Sequence, residues 1–450
     1  MPGSRGKAPR GRVRGLRRPG SLSPKPRDSS SSQGKSIDMK QKNTAFISRD
    51  ALLSNYAAID RLVTDNVFGT GRAKPRIICV VKADGYGHGI QTVAGALGDA
   101  GCDYFAVSSE EEAVELREIE TRNGRNPDIL ILGHIMPENV GEMIARDITC
   151  AVVSLENARE LSAAVSAHNR RGTKPRADSL KIHIKLDTGM NRVGFPVAED
   201  RREESVRQIE EVSRDPNLNV CGIFTHFSCA DDELMDGRIL PGYEVFGGFT
   251  GLQLDRYRSA VRALEERGVN VGLRHCANSA ATLCCPEAYF DAVRAGIIIY
   301  GLMPNGRLGT GIPRLTPVMR FDSSVVHLHR MYPGDRVSYG AEFTASRPML
   351  VATVGAGYAD GFERAYKGCC VRIGNRMYRQ IGRICMDQFM VDVTPTDERD
   401  AIENPIAVGD AVTLFGGDDG QMTDTLARMA GTINYEVVCK VSKRVPRIVE

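Results

Sequence analysis

The stretch "VVKADGYGHG" (Val80 to Gly89) ends an apolar run on one lysine and follows it with glycines, a tyrosine and a histidine. An amine held there is a candidate nucleophile toward carbonyl compounds, because keeping water away favours its neutral form. Other groups with chemistry stand at the ends of later apolar runs. They are Lys185 and Arg192 in "KLDTGMNR", His226 in "THFS", Asn278 and Ser279 in "CANSA", and Arg294 and Gly296 in "VRAGIIIYG". Taken singly, each has an ordinary reading: a solvated strand-end lysine, a hydrogen-bonded core histidine, a buried ion-pair arginine. Taken together, they would have to land by chance on one rim. A lysine amine with a Ser/Gly anion cradle opposite is what a Schiff-base enzyme holding pyridoxal phosphate requires. No Walker lysine motif, HExxH or CxxC competes, and no metal site is expected.

Such a rim needs strands that all end on one side. Runs rich in Ile, Val and Leu recur at 76–81, 104–109, 128–133, 148–154, 180–187, 219–227, 273–279 and 292–300. Segments with helical spacing separate them, among them "EEEAVELREIETRNG" and "LENARELSAAVSAHNRRG", whose acidic first turns suit a helix N-terminus. Eight strands alternating with helices predict an α/β fold, a (β/α)8 TIM barrel with its polar groups at the C-terminal strand ends. The competing doubly wound sheet lacks its GxGxxG turn. After residue 315, period-two stretches broken by Pro and Gly predict a second, mostly β domain. The expected division is a basic tail over 1–43, a barrel over 44–315 and a β domain over 316–450.

The chain has 450 residues, 42% hydrophobic and 26% charged, enough for two domains. Residues 1–38 hold ten Lys and Arg against Asp28 and Asp38, +8 in all, which leaves −5 for the rest of a chain that is +3 overall. This Gly/Pro/Ser/Arg-rich segment reads as disordered, as a targeting segment or as a mis-start with Met39 the true beginning; nucleic-acid binding is the alternative for such a tail, and none is expected of the protein. Twelve cysteines without a CxxC pair point to a reducing compartment, hence the cytoplasm. No apolar run approaches the length of a membrane span, so neither membrane insertion nor secretion is expected.

The motifs "VVKADGYGHG", "KLDTGMNRVGF", "GIFTHFSCAD", "HCANSA", "VRAGIIIYG", "VSYG", "GYADGFER", "GRICMDQ" and "INYEVVCKVSKRVPR" resemble, in this order, those of the alanine racemases. The resemblance runs from about residue 44 to the end. It implies a pyridoxal-phosphate barrel followed by a β domain, in a homodimer whose active sites combine both chains. It further implies interconversion of L-alanine and D-alanine, the latter for peptidoglycan. Serine or a wider range of amino acids is the nearest alternative. A fold-related amino-acid decarboxylase and a non-catalytic cofactor-binding barrel are the rivals from other classes.

Carried over motif by motif, the resemblance makes Lys82 the Schiff-base lysine and one base, and Tyr339 the other base, reaching into the partner's site. His226 and Arg294 would help that tyrosine ionise, since an unperturbed phenol has a pKa of about 10. Arg294 would also face the pyridine nitrogen. Tyr86, Ser279, Tyr435 and the N–H groups of Gly296 and Ile297 would hold the phosphate, with Asn278 beside them. Arg192 would meet the cofactor's phenolic oxygen and the substrate carboxylate, aided by the Met386 N–H from the partner. Lys185 matches a lysine often carbamylated in the family. Tyr358 and Arg364 would line the substrate entrance, and Tyr435 would narrow its inner end.

Overall fold

The computed structural model describes residues 42–171, 177–232, 247–304, 312–417 and 420–450. Residues 1–41 of the expected tail, Met39 included, lie outside the described residues. The chain enters through β1 (Thr44–Ile47) and the helix Arg49–Val67, and then winds a barrel. Its strands are β2 (Arg76–Val80), β3 (Tyr104–Val107), β4 (Asp128–Ile131), β5 (Thr149–Val152), β6 (Leu180–Asp187), β8 (Leu218–Phe224), β9 (Leu273–His275) and β10 (Ala292–Ala295), with a two-residue β7 (Phe195–Pro196) beside the end of β6. They pair in the order β5, β4, β3, β2, β10, β9, β8, β6, and β5 pairs again with β6, closing a parallel ring. Each of the eight runs read from the sequence holds one strand of this ring, though the run over 273–279 is strand only to His275 and that over 292–300 passes into a helical turn at Ile297–Tyr300.

Local chemistry explains the alternation. Strands such as "RIICV" and "YFAV" are apolar on both faces because the ring's interior covers one and the helices cover the other. Ser109 and Ser154 start the helices Glu110–Arg122 and Leu155–Asn169, their hydroxyls accepting from Glu112 N at 3.3 Å and Asn157 N at 3.1 Å. No helix among the described residues is long and apolar enough to cross a membrane.

The second domain is mostly sheet. It consists of β11 (Met319–Met331), the hairpin β12 (Arg336–Val337) and β13 (Phe343–Thr344), β14 (Met349–Val354), β15 (Cys370–Ile373), β16 (Arg376–Ile381), β17 (Phe389–Asp392), β18 (Ala411–Phe415) and β19 (Arg447–Val449). The thirteen-residue β11 pairs with β18 through its first half and with β14 through its second, so that six strands close on themselves. Strand β1 belongs to this sheet, antiparallel to β11 and parallel to β19. Asn43, at the end of the expected tail, is buried and donates to the Gly355 carbonyl at 3.1 Å. Residues Asn43 to Ile47 therefore pack into the second domain before the barrel begins.

Candidate active site

At the C-terminal ends of the barrel strands lies a cavity of about 880 Å³. Lys82, Tyr86, Lys185, Arg192, His226, Asn278, Ser279, Arg294, Gly296 and Tyr435 all line it. Lys82 stands two residues beyond β2, at the head of an unusual turn. Ala83, Asp84, Gly85 and Tyr86 have φ of 54°, 54°, 60° and 53°, a short left-handed helix. For the three non-glycine residues this conformation costs about 1–2 kcal/mol each.

Polar contacts hold that turn. Glu112 Oε1 accepts from Ala83 N at 2.6 Å while its Oε2 accepts from Ser108 N at 2.8 Å. Asp84 Oδ1 accepts from Ile90 N at 2.8 Å, capping the helix Ile90–Asp99, whose preceding Gly89 has no side chain to do so. Gly87 is obligatory: a Cβ there would stand 2.4 Å from the Val438 carbonyl. The result is that Lys82 and Tyr86, four residues apart, both face the cavity. Glu112 was not legible as a site residue, because "SSEEEA" reads completely as a helix cap.

Opposite the amine is a small-residue cradle. Gly296 N donates to Ser279 Oγ at 3.0 Å, and a Cβ on Gly296 would come within 2.8 Å of the Tyr86 hydroxyl and 3.4 Å of Ser279 Oγ. Two hydroxyls thus converge where only glycine leaves room, that of Ser279 oriented by the Gly296 N–H so that its own proton is free to point outward, an arrangement suited to an anion. Asn278 spends its side-chain oxygen on Ala281 N at 3.0 Å, capping Ser279–Cys284. Ile297 is buried behind Gly296 and is not part of the lining.

Arg294 is the hub of the floor. Its Nη1 donates to His275 Nδ1 at 2.9 Å and to the His275 carbonyl at 3.1 Å. Its Nη2 donates to the Thr225 and Cys276 carbonyls at 2.7 and 3.1 Å, and lies 3.3 Å from His226 Nδ1. Among the described residues Nε has no acceptor. Burial brings the guanidinium down to about 10, so it remains charged at neutral pH.

The cations repel one another. Burial first, then Arg192 and Arg294, lower Lys82 against the partial offset of Glu112. Burial, Arg192 and Arg294 take Lys185 down to about 8. Burial and the same arginines hold His226 well below the usual histidine range, so it is neutral. Phe224, with His134, Thr432 and Cys439, lines the cavity without having been singled out in the sequence. Phe224 lies under both Lys185 Nζ and the Arg294 guanidinium, 5.4 and 5.5 Å from its ring centroid.

Tyr339, Tyr358 and Met386 do not line this cavity. They stand on the second domain, 71%, 42% and 52% exposed. The segment through Met386 ties them together: Ser338 Oγ donates to the Arg383 carbonyl at 2.8 Å, Tyr358 N to Cys385 O at 3.1 Å and Ala359 N to Met386 O at 3.0 Å.

Comparison with known proteins agrees with this geometry. Residues 47–304 match the family described as "Alanine racemase, N-terminal domain", and residues 318–449 match "Alanine racemase, C-terminal domain". An alanine racemase of Clostridium novyi is 37% identical over 407 residues, 90% of this chain and 94% of that protein. One of Desulfovibrio desulfuricans is 40% identical over 83% of this chain and 91% of its own length. The solved alanine racemase of Clostridium difficile superposes with a TM-score of 0.77 at 34% identity, covering 92% of this chain and 96% of that one. The Bacillus anthracis alanine racemase with bound L-Ala-P gives 0.76 at 29% identity over 92% of this chain.

Proposed function

The chain belongs to the alanine racemase family, a family of isomerases, and we propose that it interconverts L-alanine and D-alanine with pyridoxal phosphate held in the barrel mouth. The observation that carries this reading is the meeting, in one cavity, of the Lys82 amine with the Tyr86, Ser279 and Gly296 cradle. The residues fit the group. The cradle suits its phosphate, Lys82 its aldehyde, and the uncommitted Nε–H of Arg294 its ring nitrogen. When bound, that cofactor would withdraw electrons from the substrate's Cα and so make the Cα proton acidic.

The chain's own residues do the rest. Lys82, its pKa lowered, takes or returns the proton on one face of Cα. Tyr339 serves the other face. Because it is absent from its own chain's cavity and exposed on a surface shared with Met386 and Tyr358, it acts in the site of a second copy, in a homodimer. His226 accepts from Arg294 through Nδ1, which leaves the proton on Nε2 as a donor toward the incoming phenol. Arg294 cannot readily give up a proton and therefore moderates the ring nitrogen. Arg192 holds the substrate carboxylate. Lys185, at about 8, carries enough neutral amine near neutrality to react with carbon dioxide, and the resulting carbamate would pair with Arg192.

The test is to incubate the purified protein with L-alanine and follow D-alanine and released carbon dioxide together. D-Alanine without carbon dioxide supports the proposal. Carbon dioxide without D-alanine supports a decarboxylase and refutes it. L-Serine in parallel measures the breadth of the pocket, where one added group shifts discrimination by about 1–3 kcal/mol.

A further inference from the structure

Beneath the cavity, four polar side chains from four strands form one file across the barrel interior. Arg294 on β10 reaches His275 on β9, whose Nε2 lies 2.9 Å from Nδ1 of His183 on β6. His183 Nε2 lies 3.3 Å from the hydroxyl of Tyr104 on β3. All four residues are buried. Barrel interiors are ordinarily filled by branched apolar side chains. A polar file in their place costs free energy unless every member is bonded. The barrel also makes room for it. A Cβ on Gly222 would stand 2.4 Å from the His183 ring, and the pairing of β6 with β8 slips between Ile182 and His183. Phe224 stacks on His275 with centroids 5.0 Å apart and planes 4° apart, closing the file on that side.

Donor counting sets the direction of every bond. A guanidinium only donates, so His275 Nδ1 accepts from Arg294 and the His275 proton sits on Nε2. That proton faces His183 Nδ1, which accepts, and the His183 proton on Nε2 faces Tyr104. Both imidazoles are therefore neutral. Burial and the nearby arginine push both below the usual range, His183 to about 3.

We infer that His183 and Tyr104 are positioning residues for Arg294: they lock His275 in the one tautomer that accepts from the guanidinium, and so fix its plane with Nε toward the cavity. Without His183, the His275 Nε2–H loses its acceptor. The alternative tautomer would then turn an N–H toward the N–H of Arg294. This inference rests on the proposed meeting of Arg294 with the cofactor ring.

Two measurements on the full-length protein decide it. Nitrogen NMR of histidine-labelled protein should find His183 and His275 neutral and protonated on Nε2 from about pH 6 to 9, across which an ordinary histidine would titrate. An imidazolium, or a proton on Nδ1 of either ring, overturns the inference whatever the cofactor does. In kinetics, His183→Leu should lower racemisation about tenfold, as loss of an orienting partner does elsewhere, and raise the ratio of transamination to racemisation. His183→Asn, whose side-chain oxygen can take the place of Nδ1, should bring that ratio back, and Tyr104→Phe should move it less than His183→Leu. Equal losses in the Leu and Asn variants with an unchanged ratio would mean that His183 only fills space. Absence of racemase activity in the unsubstituted protein would instead overturn the proposed function, and the tautomers would still decide the file.

Discussion

Lys82 and Tyr339 both stand on turns that hold non-glycine residues at positive φ: Ala83, Asp84 and Tyr86 after the first, Ser338 and Ala341 around the second. The first turn is enclosed. Glu112, Asp84 and the wall of a cavity built by the same chain hold its lysine in place. The second is open, the tip of a two-strand hairpin whose tyrosine is the more exposed for being so presented. Strain aims a side chain in each case. What differs is who completes the surroundings, the chain itself or, in the proposed homodimer, a second copy, and four measurements can break or sharpen that contrast.

The largest effect is expected at the enclosed turn. Lys82→Ala should abolish the covalent link to the cofactor and lower racemisation by more than about a thousandfold, since base and nucleophile go together. Borohydride reduction and peptide mapping check it, and cofactor fixed on Lys185 would refute the assignment. Next comes the open turn. Tyr339→Phe should lose about 10²–10⁴ in rate while still binding cofactor. Mixing it with Lys82→Ala subunits should restore about a quarter of full activity, because half the dimers are mixed and each has one intact site. No recovery in verified mixed dimers would mean that both residues act within one chain.

Smaller effects follow in the cradle and among the cations. Gly296→Ala places a methyl against the Tyr86 hydroxyl and should weaken cofactor retention by about 1–3 kcal/mol, read as the free concentration needed for half saturation. Retention unchanged would move the phosphate elsewhere. Burial and the neighbouring arginines lower Lys185 to about 8 when folded, from the 10.5 of an ordinary lysine. Below pH 8 both folded and unfolded forms carry its proton, and the folded state bears the whole penalty of a buried charge. Between pH 8 and 10.5 the unfolded state holds the proton more, so stability rises with pH through that window. In buffer freed of carbon dioxide, where the amine is not carbamylated, Lys185→Met should therefore stabilise the protein at pH 7 by about 1 kcal/mol or a little more, an advantage that fades toward pH 10.5 in denaturant titrations. An equal gain at both ends would show that packing, not charge, is responsible.

The eight barrel strands were legible because each is a run of β-branched and aliphatic residues, covered on both faces wherever it falls in the ring. The rim residues were legible because each ends such a run. The turn after Lys82 was not, since glycines at 85, 87 and 89 announce a turn without saying that Ala83, Asp84 and Tyr86 share its hand. His183 and His275 read as polar interruptions of apolar strands, "KIHIKLD" and "LRHCA". Their contact depends on how the ring brings β6, β8 and β9 side by side. The pairing of "TAFI" at residues 44–47 was hidden for a similar reason: four residues carry little periodicity, and their partners lie at the far end of the chain.

That first strand sets an order on synthesis. β1 leaves the ribosome among the earliest described segments, but its neighbours β11 and β19 emerge much later, with the second domain. β11 follows about 270 residues later and β19 about 400, so at about 5–20 residues per second the edge that faces β19 stays bare for roughly 20–80 s. Through that interval it is a bare sheet edge, open to pairing with the wrong chain. The barrel can wind as it is made, while the larger sheet of the domain that carries Tyr339 is completed only once β19 has emerged.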